Sequence, residues 1–374
     1  MQEEIKKSAW EDGMKGIECI ELRKFITEYK QKNEKNEFKP VAVGKYGIRT
    51  RESIYSKELA KDYSKNKIIF KNTLTVGMGS RQIDIGILTD DVIYSVSPAY
   101  HTYKISGINA DYLRYCLMCR NEDMFKRFVK RGSRQGKSID LKRWLEYEIP
   151  VYDVCNQEKI VLKLNKVTNV ISMRKQQLQK LDELIQARFV EMFGGLHNSK
   201  LYPYVSIETF TDVTSGGTPN RNTKEYWENG NIRWVKTTEL HNNFITDTEE
   251  YITRKGIDNS SAKVIPAHSI LVAMYGQGKT RGMTGYLLKE CTTNQACACI
   301  LPCKRVDQKY LWYYMILSYD KLRGMAKGGN QPNLNIGIIK RFQVLVPPIE
   351  LQSQFADFVN QVNKSKLVIK NLLQ

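Results

Sequence analysis

Long apolar runs are missing from the sequence: nowhere in its 374 residues do about 18 apolar residues stand together, which excludes a membrane-spanning helix. The opening Met1-Gln2-Glu3-Glu4 has none of the features of a signal peptide, so the chain is expected in the cytoplasm with no membrane partner. Histidine is scarce, and none of His101, His197, His241 and His268 begins an HExxH or comparable metal spacing. The 8 cysteines are scattered and read as reduced thiols. Only Cys116-Leu-Met-Cys119 has a metal-like spacing, within an apolar, helix-like run from Tyr112; Cys297, Cys299 and Cys303 lack a paired CxxC or a nearby histidine. Both groups read as small core residues, and no metal is expected.

Acidic residues are also short, 40 against 58 Lys and Arg, leaving a formal charge of +18. Such an excess points to a polyanionic partner, nucleic acid foremost. Catalytic motifs are absent as well. No Asn-Pro-Pro-Tyr or Asp-Pro-Pro-Tyr occurs, with which an amino-methyltransferase would grip a flipped base. Gly278-Lys279-Thr280 ends like a phosphate-cradling loop, but Ala273 replaces the required first glycine, and the residues after Arg281 read as turn and strand where a helix N-terminus is needed. A binding protein is favoured over an enzyme. A methyltransferase or nuclease with degraded motifs, and a stand-alone sequence-specific DNA-binding protein, remain as alternatives.

What the chain does contain is a duplication. Ala110 to Tyr115, Gly132-Ser-Arg-Gln-Gly136, Leu141 to Trp144, Ile149-Pro150 and Gln157 to Ile160 recur in order as Gln308 to Tyr313, Gly329-Asn-Gln-Pro332, Ile339 to Phe342, Pro347-Pro348 and Gln352 to Phe355. A helix, a Gly-containing polar loop, a short strand and a second helix are expected twice. From Asn156 to Phe193 the apolar residues Ile160, Leu164, Val167, Ile171, Leu178, Leu181 and Ile185 alternate steps of four and three, broken only at Arg174. That is a coiled-coil seam on a helix of about 38 residues, roughly 57 Å long. Phe355, Val359, Val362, Ile369 and Leu373 repeat the register, so the two helices are expected to pack as an antiparallel pair. The second copy stops about 14 residues short of the first, at 1.5 Å of rise for each.

The fold class is therefore α+β: two small domains joined and separated by long helices packed as an antiparallel coiled coil. The expected boundaries are residues 1–155, 156–195, 196–350 and 351–374. The Lys- and Glu-rich opening to Phe38 has no assigned role, and Glu21 to Gln31 is compatible with a helix. Arginine matches guanine edges, Asn and Gln match adenine, and Lys, Ser and Thr hold phosphates. On that basis the DNA-binding candidates of segment one are Arg49, Arg51, Ser80, Arg81, Gln82, Arg131, Arg134, Gln135 and Lys137. Those of segment two are Thr218, Asn220, Arg221, Asn222, Lys236, Thr237, Thr238, Gln277, Lys279, Arg281, Asn330, Gln331 and Asn333.

With these residues in view, the chain resembles the specificity (S) subunit of Type I restriction-modification systems. Gly216-Gly-Thr-Pro219, Tyr226-Trp227 and Ile232 to Val235 look like the opening of that family's target recognition domain. Leu271 to Gly282, Thr293 to Ala296, Gly328 to Leu334 and Val346 to Glu350 match its later motifs in order, while segment one matches more loosely and lacks Gly-Gly-Thr-Pro. The resemblance implies two target recognition domains, each reading half of an interrupted double-stranded DNA site. It implies helices that measure the gap and dock two methyltransferase (M) subunits, with restriction (R) subunits joining them. It further implies no catalysis and no cofactor in this chain: S-adenosylmethionine belongs to the methyltransferase partner, ATP and Mg to the restriction partner.

Overall fold

A computed structural model describes residues 17–45, 47–54, 62–132, 136–276, 278–328 and 332–373. The chain forms two compact α+β units that divide at Val170/Ile171. The division falls inside one long helix.

In unit one β1 (Glu18–Glu21), β2 (Ile26–Glu28), β3 (Val41–Gly44) and β4 (Gly47–Thr50) precede β5 (Lys67–Ile69), β6 (Thr73–Met78), β7 (Ile83–Leu88), β8 (Tyr94–Val96) and β9 (His101–Ile105). Then come α1 (Ala110–Cys119), α2 (Asn121–Phe128), the hairpin β10 (Val129–Gly132) and β11 (Gly136–Ile139), α3 (Leu141–Trp144), β12 (Glu148–Val151) and α4 (Val154–Phe193). Strands β2, β9, β6 and β7 make an antiparallel sheet in that order. Against it pack the buried Leu22, Leu113, Leu117, Met124 and Trp144.

Glu21 to Gln31, compatible with a helix by sequence, is instead strand, one 3-10 turn (Leu22–Lys24) and strand. Strand β1 pairs with β12, β2 pairs with β9, and the Leu22 and Arg23 amides donate to the Tyr147 and Leu145 carbonyls. Pairing with distant strands overrides local helix propensity here. From Glu18 on, the opening is thus part of the unit's frame.

Unit two repeats the frame. Its strands are β13 (Tyr204–Ser206), β14 (Val213–Ser215), β15 (Ile232–Val235), β16 (Asn243–Ile245), β17 (Glu250–Ile252), β18 (Ile270–Ala273), β19 (Thr284–Leu287), β20 (Thr292–Thr293), β21 (Cys297–Ile300) and β22 (Gln343–Leu345). Its helices are α5 (Arg254–Asp258), α6 (Gln308–Leu317), α7 (Tyr319–Gly324), α8 (Ile336–Lys340) and α9 (Ile349–Asn371). A five-stranded sheet runs β14-β21-β18-β19-β16 and a three-stranded one β17-β15-β20, while β13 pairs with β22 as β1 pairs with β12. Cys291, Cys297 and Cys299 are core residues here, and burial pushes the Cys297 thiol up to about 12, so it stays protonated. Cys119, by contrast, is exposed. No helix among the described residues is long and apolar enough to cross a membrane.

The duplication extends to individual hydrogen bonds. In unit one the Asn109 amide donates to Gln157 Oε1 at 2.9 Å, Gln157 Nε2 donates to the Tyr152 carbonyl at 2.7 Å, and the Tyr112 hydroxyl donates to the Pro150 carbonyl at 2.8 Å. In unit two the Asp307 amide donates to Gln352 Oε1 at 2.9 Å, Gln352 Nε2 to the Pro347 carbonyl at 2.7 Å, and the Tyr310 hydroxyl to the Leu345 carbonyl at 2.8 Å. Both glutamines are buried, and each ties the start of a long helix to the N-terminus of an earlier one, α4 to α1 and α9 to α6. Replacing Gln352 with alanine leaves a half-buried N–H and a buried carbonyl unpaired, so a loss of about 1–3 kcal/mol is expected in chemical denaturation.

Within unit two the end of α4 and α9 run antiparallel. Phe189 and Phe193 meet Phe355 at centroid distances of 5.4 and 5.7 Å, and Lys366 reaches Asp182 at 2.5 Å. Of the expected seam, Ile185, Phe355, Val359 and Val362 are buried, whereas Leu178, Leu181, Ile369 and Leu373 are partly so. In unit one Ile160 and Leu164 are partly buried. Val167 and Ile171 depart from the expectation, being 55% and 40% exposed. With Asp182 facing Lys366, α9 ends at Asn371 before it comes opposite Ile171.

Candidate nucleic-acid interface

Two loops of unit two carry six of its thirteen predicted polar residues, and the structure brings the two loops together. The first follows β18 and runs from Gly276 to Gly282, and the second joins α7 to α8. Arg281 Nη1 donates to the Pro332 carbonyl of the second loop. The Leu334 amide donates to the Met274 carbonyl at 3.0 Å, and Lys327 and Asn333 exchange backbone bonds at 3.0 and 2.9 Å across the loop's neck. Gly282 adopts φ +88°, a conformation that favours glycine, and brings the chain back against Arg323. Lys279 is exposed at the tip. The predicted Gln277, Asn330 and Gln331 lie outside the described residues.

Unit one joins the corresponding loops. Gly79 to Gln82 connects β6 to β7, and Lys137 on β11 extends Nζ to the Ser80 carbonyl at 2.5 Å while covering the Phe125 ring at 5.3 Å. Ser80, Arg81 and Lys137 are exposed. Arg131 lies on β10; Arg134 and Gln135 fall outside the described residues. Arg49 and Arg51 stand elsewhere, on β4 and just after it, with the Arg51 guanidinium over the Tyr63 ring at 5.3 Å.

The remaining unit-two candidates gather around β15. Arg221 lies over Trp227 at 3.7 Å and Trp234 at 4.6 Å and is paired with Glu250. Lys236 pairs with Glu249 at 2.7 Å and Glu250 at 3.0 Å, and these bonds raise its pKa. Burial pushes the Glu250 carboxyl up, but hydrogen bonds from Arg221 and Lys236 outweigh it and hold it below the usual carboxylate range. Both cations are thereby engaged within the protein. Asn220 accepts from the Asn222 amide at 3.0 Å, and its carbonyl accepts from Trp227 Nε1 at 3.1 Å. Thr237 and Thr238 form a 3-10 turn with Thr238 exposed. Tyr319 and Arg323, which grip the first loop from α7, were not among the predicted residues, and no local pattern marks them.

A family model for the Type I restriction modification DNA specificity domain matches residues 18–183 and 201–374. The chain belongs to that family. Its two matches coincide with two copies of one frame. The chain is 31% identical over 150 residues to the EcoR124I/EcoR124II specificity subunit of Escherichia coli, covering 39% of this chain and 37% of that one. It is 26% identical over 181 residues to the MjaIX specificity subunit of Methanocaldococcus jannaschii, covering 44% and 40%. These curated relatives are therefore matched over less than half their length. In fold it is similar to a chain solved in a study of complex assembly and conformational transition of the type I R-M system, with TM-score 0.53 and 15% identity, covering 96% of this chain and 93% of that one. A Type-I restriction-modification system S subunit from M. genitalium gives TM-score 0.52 and 12% identity over 96% and 92%.

Three of the motifs that carry the resemblance to this specificity family are built of packing residues here. A Cβ on Gly216 would stand 1.8 Å from the Thr293 carbonyl oxygen, and one on Gly217 2.3 Å from Ser261 Oγ. The Gly217 amide donates to the Thr293 carbonyl at 2.8 Å and its carbonyl accepts from Trp234 Nε1 at 3.0 Å. Thr293 Oγ1 donates to the Val235 carbonyl at 2.8 Å, and Thr218 Oγ1 to Gln295 Oε1 at 2.6 Å. Gly-Gly-Thr-Pro, Ile-Arg-Trp-Val and Thr-Asn-Gln-Ala are one knot tying β14, β15 and β20.

Proposed function

We propose that this chain is a DNA sequence-specificity subunit whose two units each read one half of an interrupted double-stranded site. The observation that supports this most is the pair of tied loops found once in each unit, rich in Lys, Arg, Ser, Asn and Gln, on a chain of charge +18. Such loops let backbone and cations meet phosphates while side chains reach base edges. The long helices dock two methyltransferase subunits, and restriction subunits join that core in the cytoplasm. Under this reading S-adenosylmethionine is held by the methyltransferase partner, ATP with Mg by the restriction partner, and the chain itself recognises without catalysing.

The test is methylation-sensitive sequencing of DNA from cells carrying this gene with a partner methyltransferase, against cells lacking only this gene. An interrupted motif methylated on adenine in both halves, present only with the gene, is the expected result. Methylation that does not depend on the gene would overturn the reading, and tight sequence-specific binding by the chain alone would favour a stand-alone DNA-binding protein.

A further inference from the structure

Arg281 is one of the arginines that residue type alone assigns to guanine recognition, yet two of its three guanidinium nitrogens are held within the protein. Nη1 donates to the Pro332 carbonyl, and Nε is buried without a partner among the described residues. Of the two forks that a guanidinium can turn to the O6 and N7 edge of guanine, one needs the buried Nε and the other the engaged Nη1. Its own backbone is held from the other side: the Arg281 carbonyl accepts from Arg323 Nη1 at 2.7 Å, and the neighbouring Lys279 carbonyl accepts from the Tyr319 hydroxyl at 2.7 Å. The Gly276–Gly282 loop is thereby clamped between α7 and the loop that ends at Leu334. Unit one makes the same tie by another route, Lys137 Nζ to the Ser80 carbonyl.

We propose that Arg281 is a positioning residue for base readout: it fixes one reading loop upon the other and touches no base itself. The inference rests on the proposed function and refines it. A side chain that reads one base controls one position of the site, whereas one that sets the placement of two loops controls every position those loops read. A phosphate contact would behave differently again, weakening binding to all sequences and lowering the salt slope by about 1.

The experiment measures binding of the full chain, with its methyltransferase partner, to a library of sites varied at every position of both halves and at several salt concentrations. For Arg281→Ala we expect discrimination to fall by about tenfold, a charge-assisted hydrogen bond being removed. The fall should spread over all positions of the half read by unit two, leave the other half intact and keep the salt slope. Arg281→Lys, which retains a donor for Pro332, should recover part of it. Tyr319→Phe removes only a hydroxyl and should give the same spread at smaller size, which keeps the test decisive if Arg281→Ala folds poorly. Relaxation confined to a single base, a salt slope lowered by about 1, or no rescue by lysine overturns the assignment. A wild-type complex that prefers no sequence overturns the proposed function itself, a result separable from these.

Discussion

Replacing Phe355 with alanine should lower the stability of unit two by about 3–5 kcal/mol, the range for deleting a buried phenylalanine whose site cannot collapse. The ring is fully buried and meets Phe189, Phe193 and Tyr310 nearly edge-on at 5.4, 5.7 and 6.1 Å. It joins three elements at once: the end of α4, the start of α9, and α6. Isolated helices are marginal in water, so most of what holds α9 in place must come from this cluster and from Val359 and Val362. Hydrogen exchange should show protection lost along α9 and residues 181–193, while β6 and β7 of unit one keep theirs. Unchanged exchange in α9 would mean that the aromatic cluster is not what holds the helix pair together.

The periodic spacing from Ile160 to Ile185 and from Phe355 to Leu373 was enough to name the faces of both helices, because a seven-residue repeat marks one side of a helix whatever it meets. It does not say what that side meets, so Val167 and Ile171 are expected in a seam and stand exposed. The opening strands were missed for a different reason: β1 is fixed by residues 148–151, too far along the chain for any local pattern to report. In the candidate interface, loop composition pointed to segments that the fold ties together, but it says nothing of the direction of their side chains. Arg221 and Arg281 are arginines in polar loops by sequence, yet a tryptophan pair with Glu250 holds the first and the Pro332 carbonyl holds the second. Those partners come from other elements, and only the assembled sheet brings them near. Gln157 and Gln352 are visible as a repeated letter, but the backbone amide each one satisfies is not.

The same distinction between packing and reading predicts what the most recognisable motif does. Gly216→Val should cost unit two about 3 kcal/mol or more, because the new Cβ would lie 1.8 Å from the Thr293 carbonyl oxygen and cannot be relieved by rotating a side chain. Thr293 is backbone-paired through β20 to β15, so the clash must push apart the knot that carries Trp234 and Val235. Thr218→Ala, two residues on, removes one side-chain hydrogen bond to Gln295 and should cost only about 1 kcal/mol. Denaturant unfolding of the two variants checks the ratio. If Gly216→Val folds normally but loses sequence preference, the motif is a DNA contact. If, as expected, it unfolds unit two while unit one still binds its half of the site, Gly-Gly-Thr-Pro marks how the fold is closed, and specificity resides in the loops that this closure leaves free to vary.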